Sequence, residues 1–211
     1  MSDWGHAHAR VPSASQAKVL ASRVATRHFT FMTAAEDILD RAAAAALSLA
    51  ADRPWTQVSL RDIALKAEIP FAELYARADG KAAVLTHLAR RFDRAALATV
   101  SADDASTHDR LFDAAMARIE AMEPHRAALV AISRSESVVV SAVRFPRTAR
   151  AILEAAGVDA TPARLTAMSA VWARALQVWR DDEGALNRTM AELDKRLKQM
   201  MSGLEKVGAG L

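Results

Sequence analysis

Residues Ser59 to Lys81 read SLRDIALKAEIPFAELYARADGK, and the spacing of caps, prolines and apolar positions in this stretch decides the fold. Ser59 followed three residues later by Asp62 resembles a capping box with Asp in place of Glu, so a short helix opens there with Leu60, Ile63, Ala64 and Ala67. Glu68-Ile69-Pro70 makes a turn. Pro70 suits the first position of a helix, where its missing N–H has no partner to lose, and a second short helix is expected from Pro70 to about Arg77. Asp79-Gly80 then breaks the chain.

Longer helices flank this pair. Upstream, Ile38, Leu39, Ala42, Ala43, Ala46, Leu47 and Leu49 recur at helical spacing behind Glu36, Asp37 and Asp40, acids that suit the positive end of a helix dipole. That helix should end near Asp52, because the residue before Pro54 is pushed out of α geometry. Downstream, Val84, Leu85, Leu88, Phe92 and Leu97 mark a helix from Lys81 to about Val100. A polar link at 101–107 leads to a bundle. Leu111 to Met122 form one amphipathic helix, closed by Pro124; Pro124 to about Val143, Pro146 to Ala156 and the helix opened by Thr161-Pro162 follow. Gly157 is a stop signal. In the last helix Leu186, Met190, Leu193, Leu197, Met200 and Leu204 form a narrow, heptad-like stripe.

Composition points the same way. With 7 Gly, 6 Pro and 5% aromatic residues, an alanine-rich chain of 211 residues favours an all-α fold with room for one or two domains. The absence of cysteine excludes disulfides, thiolate metal sites and cysteine nucleophiles, and makes a reducing cytoplasm the natural compartment. No apolar run approaches the roughly 20 residues of a membrane span. The formal net charge is +3, but its location matters more than its total. Residues 1–33 hold Arg10, Lys18, Arg23 and Arg27 against Asp3 alone, whereas residues 34–98 are balanced. The basic arm at 1–33 has three readings: an upstream extension from a misassigned start before Met32, an arm touching phosphates or an acidic partner, or a transit peptide.

The pattern from Ile38 to Leu85, with its long helix, Trp55 loop, Ser59-Leu60-Arg61-Asp62-Ile63-Ala64, turn, Leu74-Tyr75, Lys81 and Val84-Leu85, resembles the DNA-binding head of TetR-family transcriptional regulators. The resemblance implies a TetR-like all-α architecture: a helix-turn-helix head at 34–98 and a C-terminal helical effector-binding and dimerisation domain at 99–211. It implies a repressor that binds palindromic double-stranded operator DNA as a homodimer and is released by a small apolar effector, with no cofactor. Ser59, Leu60 and Arg61 would then lie against the DNA backbone. Pro70, Phe71, Ala72, Glu73, Tyr75 and Arg77 would sit on the recognition helix, and Tyr75 and Lys81 would touch phosphates. Such contacts fix register without reading sequence.

The departures bear on use. Glu68 stands where the family commonly has Gly, which adopts positive φ readily. Phe71 replaces a common Arg or Lys, and Ala76-Arg77-Ala78 replaces a polar-aromatic segment. Direct readout leans on Arg, Lys, Asn and Gln, so base contacts from Phe71, Ala72, Glu73 and Arg77 would be few. Each candidate also has a plain reading: Tyr75 as a helix-edge residue with its hydroxyl in water, Lys81 and Arg77 as solvated charges, Phe71 as a packing residue, and Trp55 as a loop anchor.

In the bundle, Trp172, Leu176, Trp179, Met190, Leu193, Leu197 and Met200 are the candidate dimer seam, since aromatic and Met enrichment marks interface cores; an intramolecular core is the alternative. Phe112, Met116, Ile119, Val139 and Met168 are the candidate pocket lining, though Met at helical spacing is commonly core filler. Met122-Glu123-Pro124-His125-Arg126 and Trp179-Arg180-Asp181-Asp182-Glu183 also resemble the lipid-binding family of ubiquinone biosynthesis, TetR-like in fold without acting as repressors. That resemblance implies a lipid or isoprenoid ligand and no DNA. The six histidines show no ligand spacing, and neither a phosphate loop nor a nucleophile elbow is present, so no enzymatic activity is expected.

Overall fold

The computed structural model describes residues 37–99, 101–102, 104–135, 144–182 and 184–211. Leu39–Leu211 form one compact unit. Among the described residues every regular element is a helix: α1 (37–52), a 3₁₀ turn Trp55–Gln57, α2 (Leu60–Lys66), α3 (Phe71–Tyr75), α4 (Lys81–Leu97), α5 (Thr107–Met122), a second 3₁₀ turn Glu123–His125, α6 (Arg126–Ser135), α7 (Phe145–Ala155), α8 (Pro162–Arg180) and α9 (Asn187–Lys206). The basic arm at 1–33 lies outside the described residues.

The expected capping box forms. Ser59 Oγ accepts from the Asp62 N–H at 3.1 Å, and Asp62 Oδ2 accepts from the Ser59 N–H at 2.8 Å. The turn that follows is a Schellman closure: the Ile69 N–H bonds the Ala64 carbonyl at 2.9 Å, and buried Ile69 packs below it. This closure requires a left-handed residue one position earlier, and Glu68 takes it with φ 55°. The Arg41 guanidinium secures the strained turn by donating to the carbonyls of Ala67 (2.6 Å) and Glu68 (3.0 Å). A left-handed L-residue costs roughly 1–2 kcal/mol, partly offset when Gly adds unfolded-state freedom. Glu68→Gly should therefore raise stability by about 0.5–1 kcal/mol, read by urea denaturation; a loss would mean that the Glu68 side chain itself holds the turn.

Pro70 is the N-cap of α3 rather than its first residue, and the helix is shorter than expected, ending at Tyr75. Trp55 is buried and gripped from α4: Lys81 Nζ donates to the Trp55 carbonyl at 2.9 Å and lies 4.7 Å from the centre of its ring. His87 and Arg91 on α4 meet Asp40 of α1 at 2.8 and 3.5 Å. Beyond the head, α4 packs on α5 and α7, α7 on α8, and α8 on α9, which also touches α5. α6 packs against the Trp55–Gln57 turn. Gly157, with φ 70°, ends α7 in a second Schellman closure through the Val158 N–H and the Leu153 carbonyl at 2.9 Å.

Candidate ligand cavity and nucleic-acid face

Five helices line an open-sided cavity of about 350 Å³, within the size range of small-molecule sites. Leu85, Leu88, Ala89 and Phe92 of α4, Leu129, Ile132 and Ser133 of α6, and Trp172, Ala173, Leu176, Gln177, Trp179 and Arg180 of α8 supply most of its lining. Arg118 and Met122 come from α5, and Phe145 and Thr148 from α7, with Arg144 just before it. The wall is therefore mainly aliphatic and aromatic, with a few polar groups.

The polar groups are ordered. Arg118 is 5% exposed and Asp93 4%, and Arg118 Nε donates to Asp93 Oδ1 at 2.8 Å. Thr148 Oγ1 donates to the same oxygen at 3.1 Å, while Asp93 Oδ2 lies 3.6 Å from Arg147 Nε without a hydrogen bond. The guanidinium centre stands 4.7 Å over the Trp172 ring and 5.9 Å from that of Phe92. Burial pushes the Arg118 pKa down and Asp93 pulls it back; arginine still stays charged.

A second network braces Trp179 from outside. Its indole N–H donates to Glu123 Oε2 at 2.8 Å. Arg126 pairs with both Glu123 oxygens at 2.8 and 2.9 Å, bonds the Trp179 carbonyl, and stacks 4.5 Å from the ring centre. Thus the Glu123–Arg126 and Trp179–Asp182 segments singled out in the sequence meet. Asp182 bonds the N–H and hydroxyl of Thr189 at 2.8 and 2.7 Å, supplying the cap that left-handed Leu186 lacks at the start of α9. Burial disfavours the Glu123 carboxylate, but the bonds from Arg126 and Trp179 outweigh it, and the pKa falls below the ordinary glutamate value. A depressed carboxylate pKa stabilises the fold fully above the unfolded value, about 4.3, and loses that contribution as pH falls through the lower folded value. The wild type should thus lose more stability between pH 5 and pH 3, as about the relevant window, than Glu123→Gln. Equal acid limbs in urea titrations would refute the role of this carboxylate.

The expected pocket residues lie elsewhere. Ile119 and Met168 are fully buried core, Met116 is nearly so, and Phe112 stacks on His108 with ring centres 6.5 Å apart; none lines the cavity. Successive residues of a helix turn by about 100°, so when α5 aims Arg118 and Met122 at the cavity its Phe112–Met116–Ile119 stripe points away. Val139 lies outside the described residues. The residues expected at a dimer seam are mostly covered within the single chain. Leu193 and Leu197 are 0% exposed in a single chain, Trp172, Trp179 and Met200 are buried, Leu176 lines the cavity, and Met190 is half-buried. The Leu193–Leu197 stripe of α9 packs inside one chain.

On the head, Ser59, Arg61, Pro70, Ala72, Glu73 and Tyr75 are exposed and Leu60, Phe71, Arg77 and Lys81 intermediate. Tyr75 is 57% exposed, its ring 5.9 Å from that of Phe71, and the Arg61 guanidinium lies 4.7 Å from the centre of the Phe71 ring. Arg77 Nη1 donates to the Glu73 carbonyl at 2.8 Å. Sequence reasoning missed Arg118 and Asp93. The signal was present: each is a charge embedded in the apolar stripe of an amphipathic helix, and the signs are opposite.

No protein-family model matches the chain, and no curated protein matches it in sequence. In fold it is similar to a TetR transcriptional regulator from Rhodococcus sp. RHA1, with 19% identity and a TM-score of 0.62 over 80% of this chain and 97% of that one. The all-helical architecture is TetR-like. Among the described residues no helix is long and apolar enough to cross a membrane.

Proposed function

We propose that the chain is a TetR-like transcriptional regulator, a repressor that binds palindromic operator DNA as a homodimer and is released when a small apolar effector enters the cavity. In this reading residues 34–98 are the DNA-binding head and 99–211 the effector and dimerisation domain. One observation carries it. α4 and α6 both wall the cavity, and both reach the head: α4 begins at Lys81, bonded to the Trp55 carbonyl, and α6 packs against the Trp55–Gln57 turn. A ligand that binds one setting of these helices more tightly shifts the heads toward that setting. Ser59 to Arg61 and the exposed side of α3 supply the docking surface, with the Tyr75 hydroxyl available for a phosphate oxygen.

A second reading, a lipid- or isoprenoid-binding protein that does not touch DNA, is favoured by the head's own contacts. Leu65 is 80% and Tyr75 57% exposed, while Arg61, Arg77 and Lys81 are engaged with Phe71, the Glu73 carbonyl and Trp55. Fluorescence anisotropy against duplexes from the DNA flanking the gene separates the two. A regulator binds with affinity that falls steeply as salt rises, and Tyr75→Ala weakens every sequence alike. A folded protein that carries lipid by mass spectrometry and shows no salt-dependent binding supports the second reading and overturns the first.

A further inference from the structure

Among the described residues, the most buried charged donor of the cavity wall is Arg118. Arg118 donates from Nε to Asp93 and from Nη1 to the Met122 sulfur at 2.9 Å. Its Nη2 bonds no described residue and is not among the fully buried orphaned atoms, and Arg118 lines the cavity. A guanidinium N–H in an apolar, largely buried setting needs an acceptor, because an unmet donor there costs its full desolvation. Among the described residues the lining carries Arg118, Arg144 and Arg180 and no Asp or Glu. Facing them, Phe92, Phe145, Trp172 and Trp179 offer apolar surface.

From this we infer that the cavity selects an apolar molecule ending in a carboxylate, the carboxylate docking on Nη2 of Arg118 and the body lying along the aromatic wall. This rests on the effector-cavity reading above and adds the chemical class of its ligand. A cationic ligand finds no carboxylate among the described lining residues. A neutral hydroxyl or ketone supplies an acceptor, but a charge-assisted hydrogen bond is roughly twice as strong. Trp172 and Trp179 on the wall make the site spectroscopically legible.

Decanoate, decanol and decylamine, which share one chain and differ in head group, are titrated into the full-length protein with tryptophan fluorescence as the readout. Decanoate should bind at least about tenfold more tightly than decanol, a difference of about 1.4 kcal/mol, and decylamine more weakly than either. In the double variant Arg118→Met/Asp93→Leu, which removes donor and buried counter-charge together, the preference should vanish while decanol binding persists. Decanol binding as well as decanoate in the wild type overturns the carboxylate assignment and leaves the apolar cavity standing. A wild type that binds none of the three overturns both. The head-group series needs no variant to fold, and loss of DNA binding would not alter it.

Discussion

Arg118→Met is expected to cost about 3–5 kcal/mol of stability, the range for breaking a buried ion pair from one side. The loss comes less from the removed contacts than from what remains: Asp93, 4% exposed, would keep only the Thr148 hydroxyl and the distant Arg147 to hold its charge. Replacing both partners behaves differently, because a buried pair exchanged for apolar side chains of similar volume is often neutral or stabilising. Arg118→Met/Asp93→Leu should therefore recover most of the loss. Urea denaturation of the two single variants and the double variant closes the cycle. A single-variant cost below about 1 kcal/mol, or a double variant no more stable than Arg118→Met, would show that the pair does not behave as a buried couple.

Trp172→Ala should be comparably severe, at about 3–5 kcal/mol. The ring is 1% exposed, forms cavity wall, and supports the Arg118 guanidinium 4.7 Å away, so its removal deletes packing, a cation–π contact and one boundary of the cavity at once. The prediction also distinguishes core from dimer seam. A core residue makes its contribution within the chain, so the fractional loss should not grow as protein is diluted. A small stability change accompanied by a weakened self-association constant would instead return Trp172 to an intersubunit role.

The legible parts of the fold were those with local causes. The Ser59/Asp62 box, the Pro70 start, the Gly157 stop and the Thr161-Pro162 opening each act within one turn, and they stand in the structure where the spacing placed them, to within a residue. Glu68 was read as a departure from Gly; the backbone keeps the left-handed geometry and makes a glutamate bear it, with Arg41 from another helix fastening the carbonyls. That compensation joins residues 26 and 27 positions apart, beyond the reach of local spacing. The candidate site was harder to read for the same reason. Apolar periodicity says that α5, α8 and α9 have buried faces, but not whether a buried face meets core, cavity or a second chain. Thus Ile119 and Met168 became core, and the Leu193–Leu197 stripe closed against its own bundle. Lys81 was read as a phosphate contact or a solvated charge, and the structure places it on Trp55, a contact made by two residues with no shared period.

In the proposed switch one set of helices serves both cavity and head. The direct measurement is the affinity of the protein for a duplex from beside its own gene, by fluorescence anisotropy, with the cavity empty and with it saturated by decanoate as monitored through Trp172 and Trp179. DNA affinity should change at least about tenfold, or about 1.4 kcal/mol of coupling, and the change should be lost in Arg118→Met/Asp93→Leu. Saturation of the cavity with DNA affinity unchanged would contradict it.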